Sequence, residues 1–163
     1  MSKRLSAGIM ALALGVAGCV STDPEKVAKT PEITPAPAKT AFDFDTALAA
    51  ARTDSGAKPL KASAALTKSA QDHAADMVKR DFYDHKTPDG VNFDTRNHRA
   101  GYCVAAMAEN IAEGYKTEAA AFKGWMDSES HRKNILNRKY TRYGFGKSGG
   151  YWVMELAGPC VKT

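Results

Sequence analysis

The segment from Ala62 to Arg80 limits the possible folds more than any other part of the chain. Its apolar and small residues recur at steps of three and four positions, which places them on one face of a helix. They are Ala62, Ala65, Leu66, Ser69, Ala70, His73, Ala74, Met77 and Val78. Because this face is rich in alanine, the helix can approach a sheet or another helix closely. It also needs such a partner, since packing of the apolar face supplies most of a helix's stability.

Weaker signals of secondary structure flank this helix. The elements that we predict are helices over 42–53, 94–100 and 117–127, a strand over 107–113, a short apolar turn over 134–136, and strands over 143–147 and 151–156. The last two strands are aromatic and β-branched, and residues 148–150 (Ser-Gly-Gly) between them favour a β-hairpin. Helices followed by a hairpin indicate an α+β domain in which helices pack on an antiparallel sheet.

The first 19 residues resemble the export signal of a bacterial lipoprotein. Lys3 and Arg4 precede an apolar run from Leu5 to Ala17, which is shorter than the roughly 20 residues of a membrane-spanning helix. The run ends in Val-Ala-Gly-Cys, which is similar to a lipobox. We therefore expect residues 1–18 to be a lipoprotein signal peptide and Cys19 to carry acyl chains such as palmitate. The alternative is an ordinary signal peptide with a chance cysteine.

Residues 19–41 have the composition of a tether. Four of the seven prolines lie here, with little apolar content to bury. We expect a semi-extended spacer of about 3 Å per residue that connects the lipid to one domain over 42–163. The predicted location is the bacterial cell envelope. Because Val20 and not aspartate follows Cys19, this is the outer membrane in a two-membrane cell, and otherwise the outer face of the cell membrane.

The charge pattern argues against nucleic acid as a partner. Removal of Lys3 and Arg4 from the formal net charge of +5 leaves +3, and no basic stripe is interleaved with aromatic residues. The expected partners are the membrane, through the lipid, and a small ligand, peptide or envelope polymer. We expect the protein to be a monomer.

Two cysteines remain once Cys19 is assigned to the lipid. Cys103 and Cys160 form an even pair in an exported protein, which favours a disulfide in an oxidising compartment. The alternatives are a pair of thiolate ligands or a nucleophile. Neither cysteine has a CxxC partner, so the disulfide is the favoured interpretation.

Four histidines are candidates for chemistry. We expect His73 to be a packed residue of the long helix and His98 to be solvated within a basic run. His85 lies between a helix and a turn, where side chains often line a cleft, and His131 begins a turn. The intervals between His85, Glu109 and His131 form no local metal motif such as HExxH.

An ordered set of short motifs resembles the CAP superfamily, which includes cysteine-rich secretory proteins, antigen 5 and pathogenesis-related proteins, and especially its bacterial SCP-domain branch. The motifs are Phe82-Tyr83-Asp84-His85, Gly101-Tyr102, Glu109-Asn110-Ile111-Ala112, Trp125 to Leu136, Tyr143-Gly144-Phe145-Gly146 and Tyr151-Trp152. They cover about 42–157. The resemblance implies a three-layer α-β-α sandwich.

The same resemblance implies a cleft. In larger family members it holds two histidines and two glutamates, and the matching positions here are His85, Glu109 and His131. The position of the second glutamate is Ser128, so adjacent Glu129 is the candidate substitute. Ser130 and Ala108 replace two further glycines of the pattern.

Three such groups allow more than one chemistry. Two imidazoles and a carboxylate can hold Zn²⁺ with an open position for water, and Glu109 or Glu129 could then act as a base. The same groups can also form a purely structural hydrogen-bonded cluster. Ser128 or Ser130 as a nucleophile is weaker, since no nucleophile elbow surrounds them. Trp125 at helical spacing is expected in the core.

The absence of the second glutamate favours a binding or interaction module whose cleft takes a divalent metal or small ligand. A metal-dependent hydrolase of peptides or wall polymers is the first alternative, and a lipid or sterol carrier is the second.

Overall fold

The computed structural model describes residues 41–103 and 105–161. The predicted signal peptide over 1–18, the lipidated Cys19 and nearly all of the predicted tether lie outside the described residues. Within the described ranges, no helix is both long enough and apolar enough to cross a membrane.

The domain contains helices and strands in mixed order. They are α1 (Phe44–Asp54), β1 (Lys61–Ala62), α2 (Ala64–Arg80), α3 (Phe93–Arg99), β2 (Met107–Glu113), α4 (Glu118–Asp127), α5 (Glu129–Leu136), β3 (Arg142–Ser148) and β4 (Tyr151–Ala157). Side-chain caps explain several helix starts: Asp43, Ser63, Asn92 and Thr117 each accept a hydrogen bond from a backbone N–H of the first turn.

Two elements differ from the sequence prediction. The turn expected near His131 and over 134–136 is part of a helix, α5, which starts directly after α4 at the shared boundary residue Ser128. Its eight residues include Ser, His and Asn, which are poor helix formers, so propensity gave little signal. The two-residue strand β1 was not predicted; it pairs in parallel with the start of β3.

The four strands form one sheet in the order β1-β3-β4-β2. The predicted hairpin is β3 and β4, and β2 pairs antiparallel with the other side of β4. Strand β2 is therefore an edge strand. In this register Glu109 of β2 lies directly opposite Glu155 of β4.

The sheet lies between two helical layers, which confirms the three-layer α-β-α prediction. Side chains of a strand alternate between its two faces. Trp152, Met154 and Leu156 of β4 belong to the core cluster that includes buried residues of α1, α4 and α5. Val153, together with Ile111 of β2, belongs to a second cluster with Ala70, Ala74 and Met77 of α2.

Helix α2 packs directly on the backbone of β3. A Cβ atom added to Gly144 or Gly146 would overlap backbone atoms of α2 at Leu66–Thr67 and Ala70–Gln71. The close approach expected from the small residues of this helix is therefore matched by glycines on the strand.

Cys103 and Cys160 form a disulfide, with their Cα atoms 5.4 Å apart, as the cysteine count predicted. The bond connects the segment before β2 to the chain just after β4. Trp125 is buried in the core, and its Nε1 donates to the Ile111 carbonyl at 3.1 Å. The expectation that Trp125 belongs to the core is confirmed.

Candidate functional site

Glu109 is the centre of a buried polar cluster. Its place in β2 directs its side chain to the face covered by α2, where the side chain is fully buried. Oε1 lies 2.7 Å from Nδ1 of His85, and Oε2 accepts a hydrogen bond from Nη2 of Arg96 in α3. Both carboxylate oxygens are thus engaged. His85 follows α2, and 49% of its side chain is exposed, so it connects the buried carboxylate to the surface.

His73 of α2 lies beside the same carboxylate. Its Nε2 is 3.0 Å from the carbonyl oxygen of Asp84 and 4.0 Å from Oε2 of Glu109. Because a carbonyl can only accept, Nε2 carries a hydrogen, and Nδ1 has no partner among the described residues. Burial, opposed by the charge of Glu109, lowers the pKa of His73. The prediction of a packed residue is correct for its burial, but sequence alone did not place it at the cluster.

Glu155 is a second buried carboxyl that sequence analysis missed. Its Oε2 accepts from Nδ2 of Asn97 at 2.9 Å, and its Oε1 lies 3.9 Å from Nη2 of Arg96. The available signal was one acidic residue in the otherwise apolar strand Tyr151–Ala157. Because an uncompensated charge is rarely buried in a strand, that residue was a candidate for a paired role.

The pKa values of Glu109 and Glu155 are shifted in opposite directions. Burial and the negative charge of Glu109 raise the pKa of Glu155 well above its ordinary value. Burial also acts to raise the pKa of Glu109, but the hydrogen bond from His85 and the charge of Arg96 prevail and lower it. Glu155 therefore keeps its proton to a higher pH than Glu109 does. The hydrogen bond to Glu109 correspondingly raises the pKa of His85.

His131 lies on α5, in the other helical layer, and its backbone is bonded to the edge strand. Asn110 is the neighbour of Glu109 in β2, so its side chain points to the opposite face. Its Nδ2 donates to the His131 carbonyl at 3.1 Å, and its Oδ1 accepts from Nδ2 of Asn134 at 2.9 Å. These bonds attach α5 to the edge strand. Burial and the nearby charge of His85 lower the pKa of His131.

A cleft of about 370 Å³ runs along the edge strand, and we call it the edge cleft. It is lined by Tyr83, Ile111, Ala112, Glu113, Tyr115, Gly124, Trp125, Ser128 and His131. Tyr83 and Tyr115 are 45% and 38% exposed, although both are held by packing. Tyr83 stacks on Tyr151, with centroids 6.1 Å apart, and a Cβ at Gly124 would overlap the Tyr115 ring. The cleft thus has two fixed aromatic walls.

The remaining predicted residues lie apart from Glu109. Glu129 is exposed on α5 and forms an ion pair with Lys133 at 2.6 Å, so the structure does not bring it to the cluster. The Oγ atoms of Ser128 and Ser130 are 3.2 Å apart, and within 41–103 and 105–161 no histidine nitrogen bonds to either. His98 is exposed, as expected for a solvated residue.

The donor set does not fit a bound metal in this arrangement. No group of three or more His, Cys, Asp or Glu side chains within 41–103 and 105–161 is placed to hold a metal ion. Glu109 uses one oxygen for His85 and the other for Arg96, whose permanent positive charge would also repel a cation. Zinc binding by His85, Glu109 and His131 stays a prediction. It would require Glu109 to give up its hydrogen bonds to His85 and Arg96.

Comparison with known proteins identifies relatives of this domain. A family model described as the cysteine-rich secretory protein family (CAP) matches residues 46–155. The uncharacterized protein YkwD of Bacillus subtilis is 40% identical over 112 residues, which are 67% of this chain and 43% of the relative. The uncharacterized membrane protein YlbC of the same species is 31% identical over 84 residues, or 52% of this chain and 24% of the relative. The chain thus spans less than half of either relative.

Solved structures share the fold. An extracellular protein containing an SCP domain from Bacillus anthracis superimposes with a TM-score of 0.69 at 25% identity, over 71% of this chain and 39% of that one. An outer surface protein from Borrelia burgdorferi gives a TM-score of 0.65 at 18% identity, over 71% of this chain and 89% of that one. The second likeness concerns the fold alone.

Proposed function

This chain belongs to the CAP family of cysteine-rich secretory proteins, and from that premise we propose that it is a lipid-anchored binding module of the bacterial cell envelope. Its ligand is a small molecule, peptide or fragment of an envelope polymer that occupies the edge cleft. Tyr83 and Tyr115 form its aromatic walls, and His131 supplies a polar contact. In this role Glu109 orients His85 and does not itself react.

The bonding of Glu109 is the observation that carries this proposal. A hydrolase that used Glu109 as its base would need one carboxylate oxygen free to accept a proton from water or substrate. Here the Glu109 side chain is fully buried, and its two oxygens are engaged by His85 and Arg96. The walls of the cleft at Tyr83 and Tyr115 are held by packing, which suits recognition, because preorganised walls lose little conformational entropy when a ligand binds.

The hydrolase alternative would require the Glu109–Arg96 pair to open. No described contact favours that rearrangement, so the hydrolase remains the second candidate. The lipid or sterol carrier stays third, since the edge cleft carries Glu113, Ser128 and His131 besides its apolar lining.

A ligand-observed NMR screen tests the proposal. The probes are muropeptides and short peptides, applied to the purified protein and to its Tyr83→Ala, His131→Ala and His98→Ala variants. We expect the NMR signals of ligand binding to disappear with Tyr83→Ala and His131→Ala. They should persist with His98→Ala, because His98 is exposed outside the cleft. Ligands that bind all four proteins equally would refute the site. Mass spectra of the same mixtures should show no cleavage, and cleaved products would favour the hydrolase.

The location at the envelope is tested through Cys19. Similarity to an extracellular protein supports an exported location, and the lipobox-like sequence supports the anchor. We expect the protein to fractionate with membranes and the Cys19→Ser variant to be soluble. Processing of the wild type should also be sensitive to globomycin. A soluble wild-type protein would contradict the anchor.

A further inference from the structure

A strongly basic cavity lies at the edge of the sheet opposite to β2. It has a volume of about 510 Å³ and lies between the loop that connects α1 to β1 and the segment that leads into β3. Its lining residues are Gly56, Ala57, Lys58, Pro59, Lys61, Arg138, Tyr140, Thr141 and Arg142. Four of these nine residues are cationic and none is acidic. We call it the basic cavity.

A buried arginine holds the walls of this cavity in place. Arg52 of α1 is only 1% exposed, and its side-chain hydrogen bonds to described residues all go to backbone carbonyls. Its Nε donates to Lys58 at 2.7 Å on one wall, and its Nη2 donates to Tyr140 at 3.2 Å on the other. Its Nη1 donates to the carbonyls of Ile135 and Asn137 at 2.5 and 3.1 Å. One guanidinium thus fixes the distance between the two walls.

These contacts satisfy the donors of Arg52 without neutralising its charge. Carbonyl groups are dipoles with no net charge, and a buried cation is ordinarily paired with a carboxylate. Within the part of the chain that the structure describes, Arg52, Lys58, Lys61, Arg138 and Arg142 form no salt bridge. The surface lysines of α2, α4 and α5 differ, because Lys68, Lys123 and Lys133 each pair with an acidic residue four positions away.

The cavity therefore concentrates positive charge that forms no salt bridge with a described side chain. Such a site attracts negatively charged ligands. Arginine guanidinium groups match the geometry of phosphate oxygens particularly well. We propose that the basic cavity binds a phosphate or phosphodiester group, with Arg138 and Arg142 as its main ligands and Lys58 and Lys61 as supporting charges. This site is separate from the edge cleft and does not depend on the function proposed for it.

Isothermal titration with pyrophosphate tests the site, using the full chain and two double variants. Arg138→Gln/Arg142→Gln removes two charges from the cavity, and Lys123→Gln/Lys133→Gln removes two from the surface of α4 and α5. We expect the first variant to weaken binding by about tenfold or more, because it loses charge-assisted hydrogen bonds. The second should weaken it by less than about twofold, since screened surface charges act weakly at this range. Circular dichroism shows whether each variant is folded.

Co-sedimentation with vesicles identifies the source of the phosphate group. Vesicles that contain phosphatidylglycerol are compared with vesicles of phosphatidylcholine alone, using the same three proteins with Cys19 replaced by serine so that no acyl anchor contributes. Selective loss of vesicle binding in Arg138→Gln/Arg142→Gln assigns the site to a lipid headgroup, whereas selective loss of pyrophosphate binding alone assigns it to a soluble phosphate. Equal losses in both double variants, or no saturable binding of either probe by the starting protein, would overturn the proposal.

Discussion

Glu109 and Glu155 are directly paired residues of β2 and β4, and both of their side chains are fully buried on the face of the sheet that α2 covers. Two carboxyls in such positions cannot both ionise without large repulsion. Arg96 provides one compensating charge, which lies closer to Glu109 than to Glu155. Glu109 therefore ionises at a lower pH than Glu155 does.

The Glu155→Gln variant should be more stable than the wild type at neutral pH. Folding raises the pKa of Glu155 through burial and the charge of Glu109. As pH rises above the ordinary glutamate value of 4.5, the unfolded chain therefore loses this proton first, and the wild-type stability falls until the pH passes the folded pKa. Glutamine stays neutral. We expect a melting temperature several degrees higher at pH 8 and a weaker pH dependence above pH 5, measured by differential scanning calorimetry.

The control for that experiment is Glu129→Gln, which changes an exposed carboxylate. Its melting curve should follow the wild type across the same pH range. Parallel pH dependence of the wild type and Glu155→Gln would show that Glu155 is ionised in the folded protein.

Arg96→Met should destabilise the domain strongly. The substitution leaves Glu109 buried without its cation, and loss of one partner from a buried ion pair typically costs about 3–5 kcal/mol. Arg99→Met on the same helix removes an exposed charge and should cost less than about 1 kcal/mol. Urea denaturation of both variants measures the difference. Similar losses of unfolding free energy would mean that Arg96 does not compensate Glu109.

Zinc binding should be weak and largely independent of the candidate ligands. Because Glu109 is held by His85 and Arg96, we expect isothermal titration with Zn²⁺ to give similar results for the wild type, His85→Ala and His131→Ala. Tight binding that both substitutions abolish would restore the metal site expected from the family resemblance, and His98→Ala serves as the control for surface histidines.

Loss of the disulfide should lower stability without changing the fold. The bond joins residues 57 positions apart, and the chain-entropy model assigns a loop of that length about 4 kcal/mol as an upper figure. The Cys103→Ser/Cys160→Ser variant should therefore unfold at lower urea concentration and keep its far-UV spectrum. Intact mass should show the oxidised wild type about 2 Da lighter than the reduced form, since disulfide formation removes two hydrogens. Unchanged mass on reduction would contradict the bond.

The sequence was most informative where periodicity was regular. Strand β2 has the predicted bounds of 107–113, and the predicted hairpin is present, because a sheet with covered faces imposes a readable pattern on its strands. Helix α5 was missed since its short sequence has weak helix propensity, and its position depends on Asn110 and on the packing of Ile135. Tertiary contacts of that kind leave no local signal.

The cluster around Glu109 could likewise be predicted only in part from the sequence. Motif resemblance linked His85 to Glu109, and the two are in contact, although their role is still a prediction. Arg96, Glu155 and His73 were not linked to Glu109, because their proximity depends on strand register and on how α2 and α3 cover the sheet. The contact between residues as distant in sequence as Glu109 and Glu155 can be predicted only once that register is known.

The glycines of β3 also decide which part of this domain can move. Because Gly144 and Gly146 have no side chains, the backbones of α2 and β3 are in close contact there. No strand side chain at these positions can change rotamer to let the helix move. On the opposite face, bulky side chains such as Trp152 and Met154 separate the sheet from α4 and α5 and can change rotamer. Any widening of the edge cleft on ligand entry should therefore occur as a small displacement of α4 and α5 together. The hydrogen bonds of Asn110 to His131 and Asn134 should keep α5 attached to β2 during this movement.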